Sequence, residues 1–225
     1  MDTPTQKTAR PSIRSPSPHG EATRQHILEV AGLLFADYGY DGTTSKQVCT
    51  AAQVNLAGVN YHFGGREGLY AAVLVEAHRR LLSREALSEI AAGPGDARAK
   101  LCLVIDRLIG GMGQEGWHLR VFMRELIAPS PALDTMLLVE VAPKVGIAKA
   151  LLAQAAGLAL DDPRLPRCFL STFAPCMMLL IANKTIISRV MADFWQDQQA
   201  LALHLKTFAL AGLDAIARAE LGAEK

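Results

Sequence analysis

The stretch Thr43 to Tyr70 limits most sharply what this chain can fold into. Thr44 is followed three residues later by Gln47, a capping box in which each residue can satisfy a backbone N–H of the other. Val48, Ala51 and Ala52 then recur at helical spacing and give one apolar face. Gln53 to Asn55 reads as a turn, and Asn55 is a good N-cap for a second helix through Phe63. Val59 and Phe63, four residues apart, anchor that second helix inward. Leu56, Ala57, Gly58, Asn60, Tyr61 and His62 are left for the other side.

Two short helices joined by a tight turn, the second with small and hydrogen-bonding residues outward, suit insertion into a DNA major groove. Asn60 offers a donor and an acceptor to a base edge. Tyr61 and His62 can donate to phosphates, which fixes register without reading sequence. Ala57 and Gly58 allow close backbone approach. Arg66 opens the next helix beside the motif, within reach of a phosphate. The plainer reading of these residues is a small helical hairpin with a polar face in water.

Three segments carry a wider resemblance: Ile27 to Phe35 with Tyr38-Gly39-Tyr40, then Thr43-Thr44, then Val54-Asn55 through Tyr61-His62-Phe63 and Gly65-Arg66-Glu67-Gly68-Leu69. Together they resemble, from Thr23 to Leu69, the N-terminal DNA-binding domain of the TetR family of bacterial transcriptional regulators. The departures are Gly64 and Gly65, where family members often carry Ser or Lys, and Asn60, where Tyr is commoner; the latter bears on base preference. The resemblance implies DNA contacts from Thr43, Thr44, Ser45, Lys46, Asn55, Leu56, Ala57, Gly58, Asn60, Tyr61, His62 and Arg66. It also implies a homodimer on a pseudo-palindromic double-stranded operator, with recognition helices about 34–36 Å apart.

Half of the 225 residues are apolar and a fifth are charged, which favours a helical protein with a large buried core over disorder. The formal net charge of +1 does not by itself advertise nucleic-acid binding. Cys49, Cys102, Cys168 and Cys176 are scattered, with no metal-ligand spacing, so neither zinc nor a disulfide framework is expected, and no cofactor. No secretory h-region follows the basic residues near the N-terminus, so a cytoplasmic protein is expected.

Residues 1–20 hold Pro4, Pro11, Pro16 and Pro18 among Ser and Thr and read as a disordered, mildly basic arm, either idle or reaching along DNA. Helix 1 is expected from Glu21 to Tyr38, ended by Gly39. One long helix is expected from Arg66 to about Ala91, with Arg79, Arg80 and Arg84 on a solvated face. The helix Trp117 to Ile127 buries Leu119, Phe122, Met123 and Leu126. Its Arg120 and Arg124, four apart, repel each other and call for an anion: Glu125, Asp106, Glu140 or a ligand. His118, Arg124 and Glu125 are candidate polar groups of a ligand pocket, with Met112, Phe122, Phe173 and Met177 as its apolar walls. The segment Arg120 to Pro131 also resembles one TetR subgroup whose members answer to antibiotics and control export genes.

Farther on, a helix is expected from Ala132 to Gly157 on a Leu137, Val141, Val145 stripe. Cys168 to Ile187 is apolar nearly all round yet interrupted by Pro175, so it falls short of the ~20 residues of a membrane span. The last helix, Phe194 to Leu221, carries a Leu201, Leu205, Phe208, Gly212 stripe with more apolar residues off it. Helices apolar on every side must be covered on every side. Two such helices paired with a twin's would form a four-helix dimer interface, as in the family.

The fold expected is all-α: a helix-turn-helix domain over 21–70 and a helical ligand-binding and dimerisation domain over 71–225. The function expected is a repressor released from its operator by a small hydrophobic or amphipathic effector, with no membrane partner. Two other readings stay open: a constitutive dimeric DNA-binding regulator, and a helical enzyme on a hydrophobic substrate. No Ser/His/Asp set, paired-carboxylate motif or phosphate loop supports the enzyme.

Overall fold

Capping residues and left-handed glycines cut the Ala- and Leu-rich chain into helices. A computed structural model describes residues 18–111, 116–182 and 184–219. No strand occurs among the described residues. Most of the N-terminal arm, and Met112, lie outside them.

Helix α1 (Pro18–Gly42) begins at Pro18 rather than Glu21 and is broken where Gly39 takes φ 74° and ψ 178°. Helix α2 (Ser45–Ala52) carries the expected capping box on Thr44, and Gln53 then turns the chain in the left-handed region at φ 54°. Helix α3 (Leu56–Phe63) starts on Asn55, whose Oδ1 accepts from Gly58 N at 2.8 Å, and stops at left-handed Gly64. The long helix expected next is two helices. Helix α4 (Arg66–Leu81) ends as Leu82 becomes extended, and Ser83 caps helix α5 (Arg84–Ala92) by accepting from Ala86 N at 3.1 Å. A serine cap outweighed the continuing apolar period.

Helices α6 (Ala97–Gly110) and α7 (Trp117–Ile127) follow, then α8 (Leu133–Met136), a π-helical turn (Leu137–Val141) and α9 (Ala142–Ala156). The π turn has a cause in Pro143. Proline offers no N–H to the carbonyl four residues back, and its ring crowds that carbonyl, so the ladder slips by one residue. Ala142 N–H accordingly bonds Leu137 O, five residues earlier. The slip moves the buried stripe. Met136, Glu140, Lys144 and Ala148 face inward, while Leu137 is exposed.

Helix α10 (Leu165–Ile181) and α11 (Lys184–Val190) are separate helices, where one was expected to run to Ile187. Helix α12 (Gln198–Arg218) starts on an Asp197 cap, not at Phe194. It buries Ala202 and Leu213, whereas Phe208, expected in the stripe, is 67% exposed.

Two cores result. One joins α1–α4 through Ile27, Phe35, Val59, Leu69 and Val73, and takes in Trp117 and Val121 from α7. The other joins α5, α6, α9, α10 and α12 around Leu87, Ile105, Leu152, Leu165 and Leu213, and takes in Phe122 from the same α7. Helix α7 therefore belongs to both. Its buried face is Trp117, Val121, Phe122 and Glu125, and Leu126 is exposed.

The two arginines of α7 find their anion in α1. Arg124 donates through Nε to Ala36 O and through Nη2 to Asp37 O, each at 2.9 Å, and Arg120 pairs with the Asp37 carboxylate at 2.5 Å. Carbonyls ahead of a helix break lack intrahelical partners and carry the negative end of the helix dipole, which suits a guanidinium. None of the expected partners of the arginines is used. Arg80 is likewise not a free solvated charge: it pairs with Glu29 and Glu76 and lies over the Trp117 ring, 4.7 Å from its centroid. Trp117 Nε1 donates to Glu29 at 2.8 Å. Hydrogen bonds from Arg80 and Trp117 outweigh the upward pull of burial and hold the Glu29 carboxyl below its ordinary range.

Helix α1 approaches this tryptophan at Gly32, where a Cβ would stand 2.4 Å from the ring. Trp117 is held by Arg80 over its ring and by its bond to Glu29, and cannot yield cheaply. Gly32→Ala should destabilise the fold by about 1–3 kcal/mol through overpacking, despite alanine's better helix propensity. Denaturant unfolding measures it, and an unchanged or raised midpoint would contradict the fit.

Candidate functional site

The exposed side of α3 and the start of α2 form one surface. Tyr61 is 85% and Leu56 52% exposed, and Lys46, Ala57 and Asn60 are also exposed. Ser45, Gly58 and His62 are half-buried at its edge, with the Tyr61 and His62 rings edge to face at 5.0 Å. Val59 alone is fully buried, so the helix stands on a narrow base and offers the rest outward.

Four expected contact residues are committed within the protein. Thr43 is fully buried, and its hydroxyl donates to Leu34 O at 3.3 Å. Its carbonyl accepts from Arg66 at 3.1 Å, and that guanidinium lies over the Tyr40 ring, 4.1 Å from the centroid. Thr43 is thus a core residue and Arg66 a brace between α4 and the end of α1. The side chains of Thr44 and Asn55 are engaged as caps of α2 and α3. What the surface offers a duplex is the Asn60 amide, the Tyr61 hydroxyl, the His62 ring, the Lys46 ammonium and an apolar contact from Leu56.

A second feature is a cavity of about 240 Å³ between α4, α5, α6, α7, α9 and α10. Phe122, Phe173 and Met177 line it, as expected of wall residues, with Leu81, Val104 and Phe169. The other expected ligand residues stand elsewhere. Glu125 is buried and accepts from Tyr70 Oη at 2.8 Å and from Ser130 N and Oγ at 2.8 and 2.9 Å, an internal tie between α4 and α7. Arg124 is on α1. His118 sits beside Trp117, outside the cavity wall.

The polar groups the sequence reading missed are His78 and Lys144. Lys144 Nζ bonds Glu140 Oε1 at 2.8 Å, Leu82 O at 2.7 Å and His78 Nδ1 at 2.6 Å. The extended Leu82 that ends α4 supplies one of those acceptors. Burial, and then the charge of Lys144, push His78 down to about 4, so its ring is neutral; against an ammonium, which can only donate, Nδ1 takes the acceptor role. Burial also lowers Lys144, against the pull of Glu140. Glu140, offered in sequence as a partner for the α7 arginines, is instead turned inward with Lys144 where the π turn meets α9.

Known proteins are similar to this chain in both halves. The family described as "Bacterial regulatory proteins, tetR family" matches residues 27–73, and the family described as "HTH-type transcriptional dual regulator CecR, C-terminal domain" matches residues 97–213. The HTH-type transcriptional repressor AcnR of Corynebacterium glutamicum is 34% identical over 74 residues, 32% of this chain and 39% of its own length. The match therefore spans well under two thirds of that relative. Among solved structures, the fatty acid degradation regulator FadR from Bacillus halodurans aligns with a TM-score of 0.64 at 16% identity, covering 84% of this chain and 98% of that one. FadR from Bacillus subtilis, solved in complex with stearoyl-CoA, aligns with a TM-score of 0.64 at 17% identity and the same coverage. At such identities the structural likeness concerns the fold.

The buried histidine sets a pH dependence. Its folded value of about 4 lies below the ordinary 6.5, so the unfolded chain binds a proton that the folded one refuses. Its contribution is complete above pH 6.5 and is lost as pH falls toward 4, by up to about 3 kcal/mol. His78→Gln should flatten that part of the stability–pH curve. An unaltered slope between these limits would show that His78 is not held neutral.

Proposed function

Because this chain belongs to the TetR family of bacterial regulatory proteins, with a CecR-type C-terminal domain, we propose that it is a homodimeric repressor released from DNA by a small molecule. Transcriptional regulation through a DNA-binding helix-turn-helix follows from the family. The operator-facing residues, the dimer and the effector are our reading. The observation that carries it is α7, which walls the cavity with Phe122 and clasps the end of α1 with Arg124, two residues farther on.

Residues 21–70 serve DNA in this reading, and residues 71–225 serve effector and partner. Asn60 and Leu56 face base edges, and Tyr61, His62 and Lys46 face phosphates. A molecule in the cavity pushes on Phe122 and moves α7. The Arg124 and Arg120 contacts then carry the movement to the break at Gly39 and to the helix-turn-helix behind it. The ligand must favour the released state by a coupling of about 1–3 kcal/mol.

The dimer reading rests on the outer faces of α10 and α12. Leu170, Met178, Leu203 and Phe208 are 60–67% exposed. The inner face of α12 is pinned to α6 by Arg98–Asp214, by Lys206–Asp106 at 2.8 Å and by Gln198 donating to Ile109 O. Among the described helices α12 alone is long and apolar enough to cross a membrane, and only 17% of that window is buried. A second copy of the same pair of helices covers this face without a membrane.

Two experiments test the reading. Binding to a selected operator at fixed salt should weaken at least about tenfold in Tyr61→Ala, since a lost contact is worth about 1 kcal/mol in each half-site. Specific binding that survives the substitution would remove α3 from the contact surface. Phe208→Arg should give a folded monomer in sedimentation and abolish operator binding; a dimer in that variant would place the interface elsewhere.

A further inference from the structure

The polar corner of the cavity has a hydrogen-bonding balance that restricts what can enter. An ammonium group has three protons. Those of Lys144 are matched by Glu140 Oε1, Leu82 O and His78 Nδ1, and Glu140 neutralises the charge. Nothing on Lys144 is left to receive a carboxylate. Because His78 accepts at Nδ1, its proton is on Nε2, and among the described residues that nitrogen has no hydrogen-bond partner. The rest of the wall is apolar. The cavity, at about 240 Å³, lies below the ~300–1,000 Å³ common for drug-sized ligands, and it is too small to enclose a coenzyme A thioester.

We propose that this cavity takes a compact, uncharged, mostly hydrocarbon molecule carrying one hydrogen-bond acceptor, of the ketone or amide kind, and rejects carboxylates. The proposal rests on the reading of the cavity as the effector site. The acceptor meets the His78 Nε2–H, and the hydrocarbon displaces water from Phe122, Phe169, Phe173 and Met177. A carboxylate would surrender its hydration for a single donor beside the Glu140 charge, and burying an ion so poorly matched is costly. His78 is unable to help by charging at neutral pH, since burial and Lys144 hold it at about 4.

Three probes of nearly one shape test this on the full-length protein: benzylacetone, hydrocinnamate and butylbenzene. Calorimetric titration should show benzylacetone binding at least about tenfold more tightly than hydrocinnamate, the scale of one well-matched hydrogen bond. In spectra of nitrogen-labelled histidine, His78 should show the Nε2–H tautomer, with that resonance moving on benzylacetone addition and not with butylbenzene. Glu140→Gln uncovers the Lys144 charge and should turn the preference toward hydrocinnamate; should that variant not fold, the wild-type titrations and spectra decide. The proposal is overturned by a wild-type preference for hydrocinnamate, by an Nδ1–H tautomer, by stoichiometric binding of stearoyl-CoA that benzylacetone displaces, or by no binding of any probe. Benzylacetone binding without release of operator DNA would instead sink the repressor reading and leave the ligand class standing.

Discussion

Arg124 crosses from α7 to two carbonyls that α1 leaves open just ahead of Gly39. Much of the arrangement depends on that contact. A helix broken by a left-handed glycine has carbonyls to satisfy, and the guanidinium satisfies two of them with a planar fork. Trp117 seats its ring on Gly32 one helix face away, and Arg80 lies over the ring. Between these two contacts α1 has little freedom against α7. The helix-turn-helix thus packs on α1, and α7 ties α1 to the second core through Phe122.

The second constraint is the buried pair Lys144–Glu140. Replacing such pairs by apolar residues is often neutral or stabilising, so stability alone does not explain one. Here the lysine stitches together three things that would otherwise be unsatisfied or free: the Leu82 carbonyl at the end of α4, the His78 ring and the Glu140 carboxylate. The π turn is what delivers both charges to the interior, and Pro143 is what makes the π turn. One proline residue therefore shapes the polar corner of the cavity.

The helix-turn-helix was legible in the sequence because its signals are local. Thr44 with Gln47 and Asn55 at an N-cap act through neighbours within one turn, and the structure has each in that role. Thr43 was misjudged because its burial depends on Leu34 and Arg66, which are distant in sequence. Arg80, Arg120 and Arg124 were misjudged for the same reason: a charge reads as solvated or ligand-directed until the partner helix is known. Phe122, Phe173 and Met177, chosen by position and residue type, do line the cavity. His78 and Lys144 were not legible, since a one-residue slip at the π turn changes which face is inward.

The size of the contacts at the end of α1 bears on regulation. Arg124 and Arg120 make three hydrogen bonds there, and exposed or half-exposed bonds of this kind are worth about 1 kcal/mol each. A coupling of about 1–3 kcal/mol between cavity and DNA surface is of that order. A ligand that loosened or tightened this clasp by a single hydrogen bond would already change occupancy measurably. Trp117 on Gly32 is different in kind, because close packing yields in discrete steps rather than gradually. In this view the tryptophan contact keeps α1 and α7 together as one body, and the arginines at the Gly39 break are where small movements of α7 are spent.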